Sequence, residues 1–275
     1  MSDRSDKAEK QTNKTNRMRS VYASLIVVGV MLVGFSAFRL IESHLEYTAA
    51  RNEYQQLREI FTTIPAWELL SQEVNVSASP EDESESELGS FEEQYELEPE
   101  EFVDPMEILR EINPDFIGWI RIDGVIDYPV VRGENNTRYL NTTFMGERNP
   151  SGAIFMDYRN NADFSDEVTI IYGHNMRDGS MFAPLHELRG TAFLDESKYI
   201  GIVTSDGELL IYRIFAARSV NAWDTENDPT QKTAETVAGE IREIPEDAEQ
   251  ILILSTCTPT ADRNERLRIY AVREG

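Results

Sequence analysis

Between Pro105 and Arg273 the chain breaks into eight short runs rich in β-branched, aromatic and leucine side chains, each bounded by turn residues, and this pattern limits the available folds more than any other feature. The runs are Gly118–Ile122, Asp127–Val131, Ala153–Met156, Glu167–Tyr172, Tyr199–Thr204, Glu208–Val220, Gln250–Thr256 and Arg266–Arg273. Segments of this length and composition read as strands. Ser205-Asp206-Gly207 is a tight-turn signal that joins two of them as a hairpin. Met106, Ile108, Leu109 and Ile112 predict a short helix ended by Asn113-Pro114, and Met181–Arg189 and Thr233–Ile244 also read as helical. No period of about 20–50 residues recurs, so a solenoid or propeller has no support. Many strands with few helices predict a mainly β domain, a closed barrel or a sandwich, over residues 105–275.

What precedes that domain divides by charge. Residues 1–20 form a basic tail with Arg4, Lys7, Lys10, Lys14, Arg17 and Arg19. Residues 21–38 carry no charge, and a helix of that length spans about 27 Å, close to the hydrocarbon core of a bilayer. The run is longer than a signal-peptide core and no small-x-small cleavage site follows it, so it is read as a transmembrane helix. Basic residues stay inside, which places the amino terminus in the cytoplasm and the bulk of the chain outside a cell membrane crossed once. Residues 39–70 are read as a helical stalk. Leu40–Phe61 lacks Gly and Pro and sets Tyr54, Leu57 and Phe61 at helical spacing, its charges taken as a solvated face. Pro65 interrupts the pattern, and Trp67, Leu69 and Leu70 are read as a short docking segment. Residues 71–104 are an acidic linker: 81–104 hold twelve Asp or Glu and no Lys or Arg, half of the formal net charge of −24. Such a run repels itself and stays extended. A charge of that sign excludes non-specific binding to nucleic acid.

Cys257 is the only cysteine, which excludes an intrachain disulfide and a multi-cysteine zinc site. It follows the apolar run Ile251–Leu254 and stands at the end of a strand, facing a polar loop. A lone cysteine is more often inert packing, so catalysis here needs a histidine brought near in space. Three are available. His44 lies in the stalk, exposed and without a chemical role. His186, in Pro184-Leu-His-Glu-Leu188, is read as a packing residue on a helix. His174 follows Gly173 at the end of the strand Glu167–Tyr172, placed as Cys257 is on its own strand, and is the better base. Arg266 offers a permanently charged planar fork suited to a carbonyl oxygen gaining negative charge. Arg268 shares its strand face, and spacing does not choose between them. The acidic tract lacks the turn glycines and ligand spacing of a calcium loop, so no metal is expected.

The domain resembles a sortase, and specifically a class B sortase, one of the cysteine transpeptidases of Gram-positive-type cell surfaces. The likeness is carried by Asn113-Pro-Asp-Phe-Ile-Gly-Trp-Ile120, Asp127-Tyr-Pro-Val-Val131, Asn136-Thr-Arg-Tyr-Leu140, Gly152-Ala-Ile-Phe-Met-Asp157, Tyr172-Gly-His-Asn-Met176, Ser180-Met-Phe182, Leu254-Ser-Thr-Cys257 and Arg266-Leu-Arg-Ile269, in that order. It implies a closed eight-stranded β-barrel with added helices and a triad of His174, Cys257 and Arg266, which resolves the choice of arginine. It also implies substrate-binding roles for Asn175, Ser255 and Thr256, and no cofactor. The implied activity is cleavage of a sorting signal, of the Asn-Pro-x-Thr type, after its threonine. A thioester acyl-enzyme then passes the acyl group to an amine of a peptidoglycan precursor. The alternatives are a pilin lysine as acceptor, a surface cysteine protease that hydrolyses, and a binding ectodomain with a silent site. Two departures bear on substrate recognition: Arg132 where relatives often have glutamine, and an insertion, Thr230–Ile244, that is short for the class. Asp104-Pro105 resembles the lid of pilus-building sortases, but Met106 stands where an aromatic is expected.

Overall fold

The computed structural model describes residues 2–61, 104–189, 198–221, 248–257 and 265–274, with Thr233, Val237, Ile241 and Pro245. The segment Trp67–Leu70, the acidic tract before Asp104 and most of the helix expected over Thr233–Ile244 lie outside the described residues. The chain divides into two units, Met1–Ala49 and Ala50–Gly275.

The first unit is helical. A single helix, α1 (Ser2–Phe61), begins there and runs on into the second unit. From Leu25 it is long and apolar enough to cross a membrane. Leu25, Val30, Leu32, Phe35 and Phe38 are each at least 60% exposed, an apolar surface of the kind that marks a candidate membrane span. His44 is exposed, as expected.

In the second unit the last turns of α1 bury Ala50, Tyr54, Leu57 and Phe61. Their spacing of four, three and four residues puts them on one face. That face is part of the domain core: Phe61 stacks on Trp119 with ring centroids 4.2 Å apart and planes 9° off parallel. A second helix, α2 (Pro105–Ile112), is capped by Asp104, whose carboxylate accepts from the Met106 N–H at 2.9 Å, and buries Met106 and Leu109.

Eight strands follow: β1 (Phe116–Ile122), β2 (Ile126–Val131), β3 (Ile154–Met156), β4 (Val168–Tyr172), β5 (Tyr199–Thr204), β6 (Leu209–Asn221), β7 (Ile251–Cys257) and β8 (Glu265–Arg273). All lie within two residues of the runs read from the sequence. They close into a barrel in the order β1-β2-β3-β4-β7-β8-β6-β5, which decides the choice between barrel and sandwich. The β2/β3 and β4/β7 pairs are parallel and the others antiparallel. Along β7, Leu252 and Leu254 face the interior core, while Ile251 and Ile253 join an outer cluster with Val168, Ile170, Tyr270, Val237 and Ile241. Burial on both faces is why this strand reads as an unbroken apolar run rather than an alternating one. Helix formation in the Met181–Arg189 stretch is confined to a 3-10 helix at Ala183–Arg189. Met181 before it takes a left-handed backbone, φ +58°, and bridges back to Asn175.

Candidate active site

The parallel register of β4 and β7 sets Tyr172, where β4 ends, beside Ser255, and β7 runs two residues further to Cys257, so the residues after β4 leave the sheet beside the end of β7. Gly173 turns the chain out of β4, its N–H donating to the Ser255 carbonyl at 3.2 Å. No side chain fits there: a Cβ would lie 2.6 Å from Phe182 and Ile154. His174 follows. Its Nε2 lies 2.8 Å from the Leu140 carbonyl, an acceptor, so Nε2 carries the proton and the ring orientation is fixed.

Antiparallel pairing of β7 with β8 puts Cys257 directly across from Arg266, and Ser255 across from Arg268. The two arginines share a strand face, as the sequence predicts, but not a role. Arg268 is 1% exposed, two pairs deeper along the β7/β8 ladder. Arg266 lines a cleft of about 250 Å³ together with His174, Cys257, Ser255 and Thr256. The Cys257 thiol is free and exposed. Among the residues expected to bind substrate, Ser255 and Thr256 thus lie in the cleft wall, whereas Asn175 is not among its lining residues and is engaged in the bridge to Met181. Among the described residues no group of three or more His, Cys, Asp or Glu is placed to hold a metal ion.

Asn136, Leu140, Phe155 and Tyr172, to which the sequence assigns no role, also line the cleft. Asn136 and Tyr172 donate to the same oxygen, Asp157 Oδ2, at 2.9 and 3.0 Å. Arg159 binds that carboxylate through Nε (2.8 Å) and Nη2 (2.7 Å). Burial pushes the Asp157 carboxyl up, but the hydrogen bonds from Arg159, Asn136 and Tyr172 more than offset it and hold it below the usual carboxylate range. Burial, then the Asp157 charge, push the Tyr172 hydroxyl well above the usual phenol range, so it remains a donor.

His186 does more than pack. Its Nε2 donates to the Cys257 carbonyl at 3.0 Å, and burial holds its pKa below the ordinary value, with the Cys257 hydrogen bond opposing that shift. The expectation that Arg132 bears on substrate recognition meets a different geometry. Its guanidinium braces the main chain, donating to the Asn160 and Tyr158 carbonyls at 2.6 and 2.8 Å, and it is not among the cleft residues.

A lone thiol at a strand end, an arginine opposite it and a histidine from the neighbouring parallel strand, on a closed eight-stranded barrel, define a cysteine-centred site. Residues 120–274, more than half of the chain, match the family model for the Sortase domain, and the chain belongs to the sortase family. Sortase B of Staphylococcus aureus is 26% identical over 212 residues, covering 77% of this chain and 73% of that protein. Sortase B of Listeria monocytogenes is 46% identical over 92 residues, 33% of this chain and 37% of that protein, so this chain matches well under half of that relative's length. Among solved structures, the Streptococcus pyogenes class B sortase Spy0129 aligns with a TM-score of 0.56 and 31% identity over 61% of this chain and 97% of that one. A sortase B from Bacillus anthracis aligns with a TM-score of 0.59 and 25% identity, covering 83% and 98%. These neighbours are class B sortases, and the barrel described here is theirs.

Proposed function

We propose that the protein is a membrane-anchored extracellular cysteine transpeptidase that attaches secreted proteins, through a C-terminal sorting signal, to an amine of a peptidoglycan precursor. The observation that supports this most is the cross-strand pairing of Cys257 with Arg266 in a cleft that also holds His174, in a chain of the sortase family. The Cys257 thiolate attacks the backbone carbonyl carbon of the signal's threonine. Arg266, with a backbone N–H near Cys257, stabilises the oxyanion, and one well-placed donor contributes about 3–4 kcal/mol. With Nε2 engaged by Leu140, Nδ1 is the nitrogen of His174 left to serve the chemistry. It gives a proton to the leaving amine as the C–N bond breaks and a thioester remains. It then takes a proton from the incoming amine, which attacks the thioester, forms the new amide and releases the thiolate. Ser255, Thr256, Asn136 and Tyr172 supply the wall against which the signal is held. The apolar stretch of α1 anchors the chain, with the basic tail in the cytoplasm.

Mass spectrometry of the purified full-length protein mixed with a sorting-peptide library tests the reading. A Cys257 adduct that an added amine discharges into a ligated peptide is the expected result, and Cys257→Ala abolishes it. The amine accepted separates a wall precursor from a pilin lysine, the latter of interest because Spy0129 is a class B sortase involved in pilus biogenesis. An adduct discharged only by water points to a hydrolase, and no adduct with any peptide overturns the proposal.

A further inference from the structure

The buried face of α1 between Ala50 and Phe61 has no part in the chemistry above, yet one residue on it reaches both of the groups that hold His174. Tyr54 is 3% exposed. Its hydroxyl donates to the Gly152 carbonyl at 2.6 Å, and its ring meets the Tyr128 ring edge-on, centroids 5.3 Å apart.

The first contact leads to the acceptor of the His174 ring. Gly152 has φ +57° and lies so close to the Tyr139–Leu140 main chain that a Cβ would stand 2.3 Å from the Tyr139 carbonyl oxygen and 2.9 Å from that of Leu140. Ala153 N–H also donates to the Tyr139 carbonyl at 3.0 Å. These two segments therefore move together. Leu140 O is the atom to which His174 Nε2 donates, so the anchorage of Gly152 sets where that acceptor stands.

The second contact leads to the loop that carries His174. The Tyr128 hydroxyl accepts from the Met181 N–H at 3.0 Å. Met181, at φ +58°, holds a left-handed backbone that residues with side chains adopt only when surrounding contacts enforce it. It bridges to Asn175, and the next residue, Phe182, donates its N–H to the His174 carbonyl at 2.9 Å. Tyr128 is itself fixed from α1: Arg58 lies over its ring at 4.7 Å and donates to the Asp127 carbonyl at 2.8 Å.

We propose that Tyr54 is a positioning residue for His174, and that the end of the membrane-linked helix is thereby a working part of the catalytic centre. The proposal rests on the assignment of His174 as the proton-transfer group. Both supports of that histidine, one at its ring and one at its main chain, terminate on the same side chain of α1. A displaced proton-transfer group slows the chemical step while leaving ground-state binding of the peptide largely intact.

The test uses full-length protein in detergent micelles, with rates normalised to titrated Cys257. Tyr54→Phe keeps the ring and removes the donor to Gly152; Tyr128→Phe removes the acceptor of Met181. Each is expected to lower kcat by about tenfold to a hundredfold with KM changed less than about twofold, as misplacements near 1 Å do. Leu57→Val, on the same buried face, is expected to lower Tm and leave kcat and KM unchanged. The independent readout is the imidazole ¹⁵N spectrum, which holds only three histidines: the His174 Nε2–H resonance is expected to shift or broaden in Tyr54→Phe and to stay in place in Leu57→Val. An unchanged resonance and an unchanged kcat in Tyr54→Phe overturn the proposal. So does a Leu57→Val variant that loses kcat as Tyr54→Phe does. If the wild-type protein forms no acyl-enzyme, it is the assigned function that fails, and the resonance still decides whether Tyr54 positions the ring.

Discussion

Arg266 and Arg268 leave β8 on one face, two residues apart, and differ in what the neighbouring strand sets opposite them: Cys257 for the first, Ser255 for the second. The first reaches an open cleft, and the second is enclosed. The two positions should therefore fail in different assays. Arg266→Lys keeps the charge but loses the planar fork, so kcat/KM should fall by about 10²–10³-fold with unfolding free energy changed by less than about 0.5 kcal/mol. Arg268→Ala should instead destabilise the fold by about 2 kcal/mol or more through the void left beneath the cleft. Urea denaturation beside steady-state kinetics separates them, and a purely kinetic defect in Arg268→Ala would contradict the assignment. His186 gives a third residue-scale expectation. Burial depresses its folded pKa below the usual value of about 6.5. As pH falls through that value, the unfolded imidazole takes up a proton and the folded one resists. Stability present above about pH 6.5 is thus lost as pH falls toward the folded pKa, and the loss levels off below it. His186→Gln should flatten this part of the Tm profile between pH 8 and 5; equal slopes in the two proteins would remove His186 as a cause.

At the scale of elements, the strands were legible because burial leaves a short-range mark: a few β-branched or leucine residues, then a turn. The closing order was not, since nothing local in β4 announces that β7, some eighty residues on, runs parallel beside it. The same limit applies to the site. Cys257, His174 and Arg266 stand at strand ends, where position in the chain already hints at exposure. Asn136 and Tyr172 were visible only as letters in motifs, because what orders them is the Asp157 carboxylate arriving from beyond β3. The α1 stripe of Tyr54, Leu57 and Phe61 could be read, but the partner of Tyr54 is Gly152, 98 residues away, and so the segment read as a stalk. Asp157→Asn tests this element-level bracing. It leaves Arg159 facing a neutral amide and weakens the hold on both cleft side chains, at a cost of about 2–3 kcal/mol at pH 7. The folded Asp157 pKa is depressed, so the difference between wild type and variant should persist above the unfolded value of about 3.9 and shrink as pH falls through the folded one. KM for the sorting peptide should rise in the variant. A variant as stable as wild type at pH 7, with unchanged KM, would show that the carboxylate orders nothing in the cleft.

For the whole molecule, charge and thiol count combine into one topological prediction. Six Lys or Arg precede the uncharged run within the first twenty residues, while residues 81–104 carry twelve acidic side chains and no basic ones. Retention of basic segments in the cytoplasm sets orientation, and acidic segments contribute little to it, so the basic tail decides the side. Everything after α1 is thus expected to lie outside the cell, where the proposed function needs it to meet a sorting signal and a wall amine. Cys257, the single cysteine and exposed at the mouth of the cleft, reports that side without an introduced label. A membrane-impermeant maleimide added to intact cells that make the protein should modify it fully, and Cys257→Ser should remove the signal. Pretreatment with a sorting peptide should protect the thiol, because the acyl-enzyme occupies the sulfur that the maleimide needs. Labelling only after the cells are opened would place the barrel in the cytoplasm, on the wrong side of the membrane for both substrates, and the anchoring function would fall with the orientation.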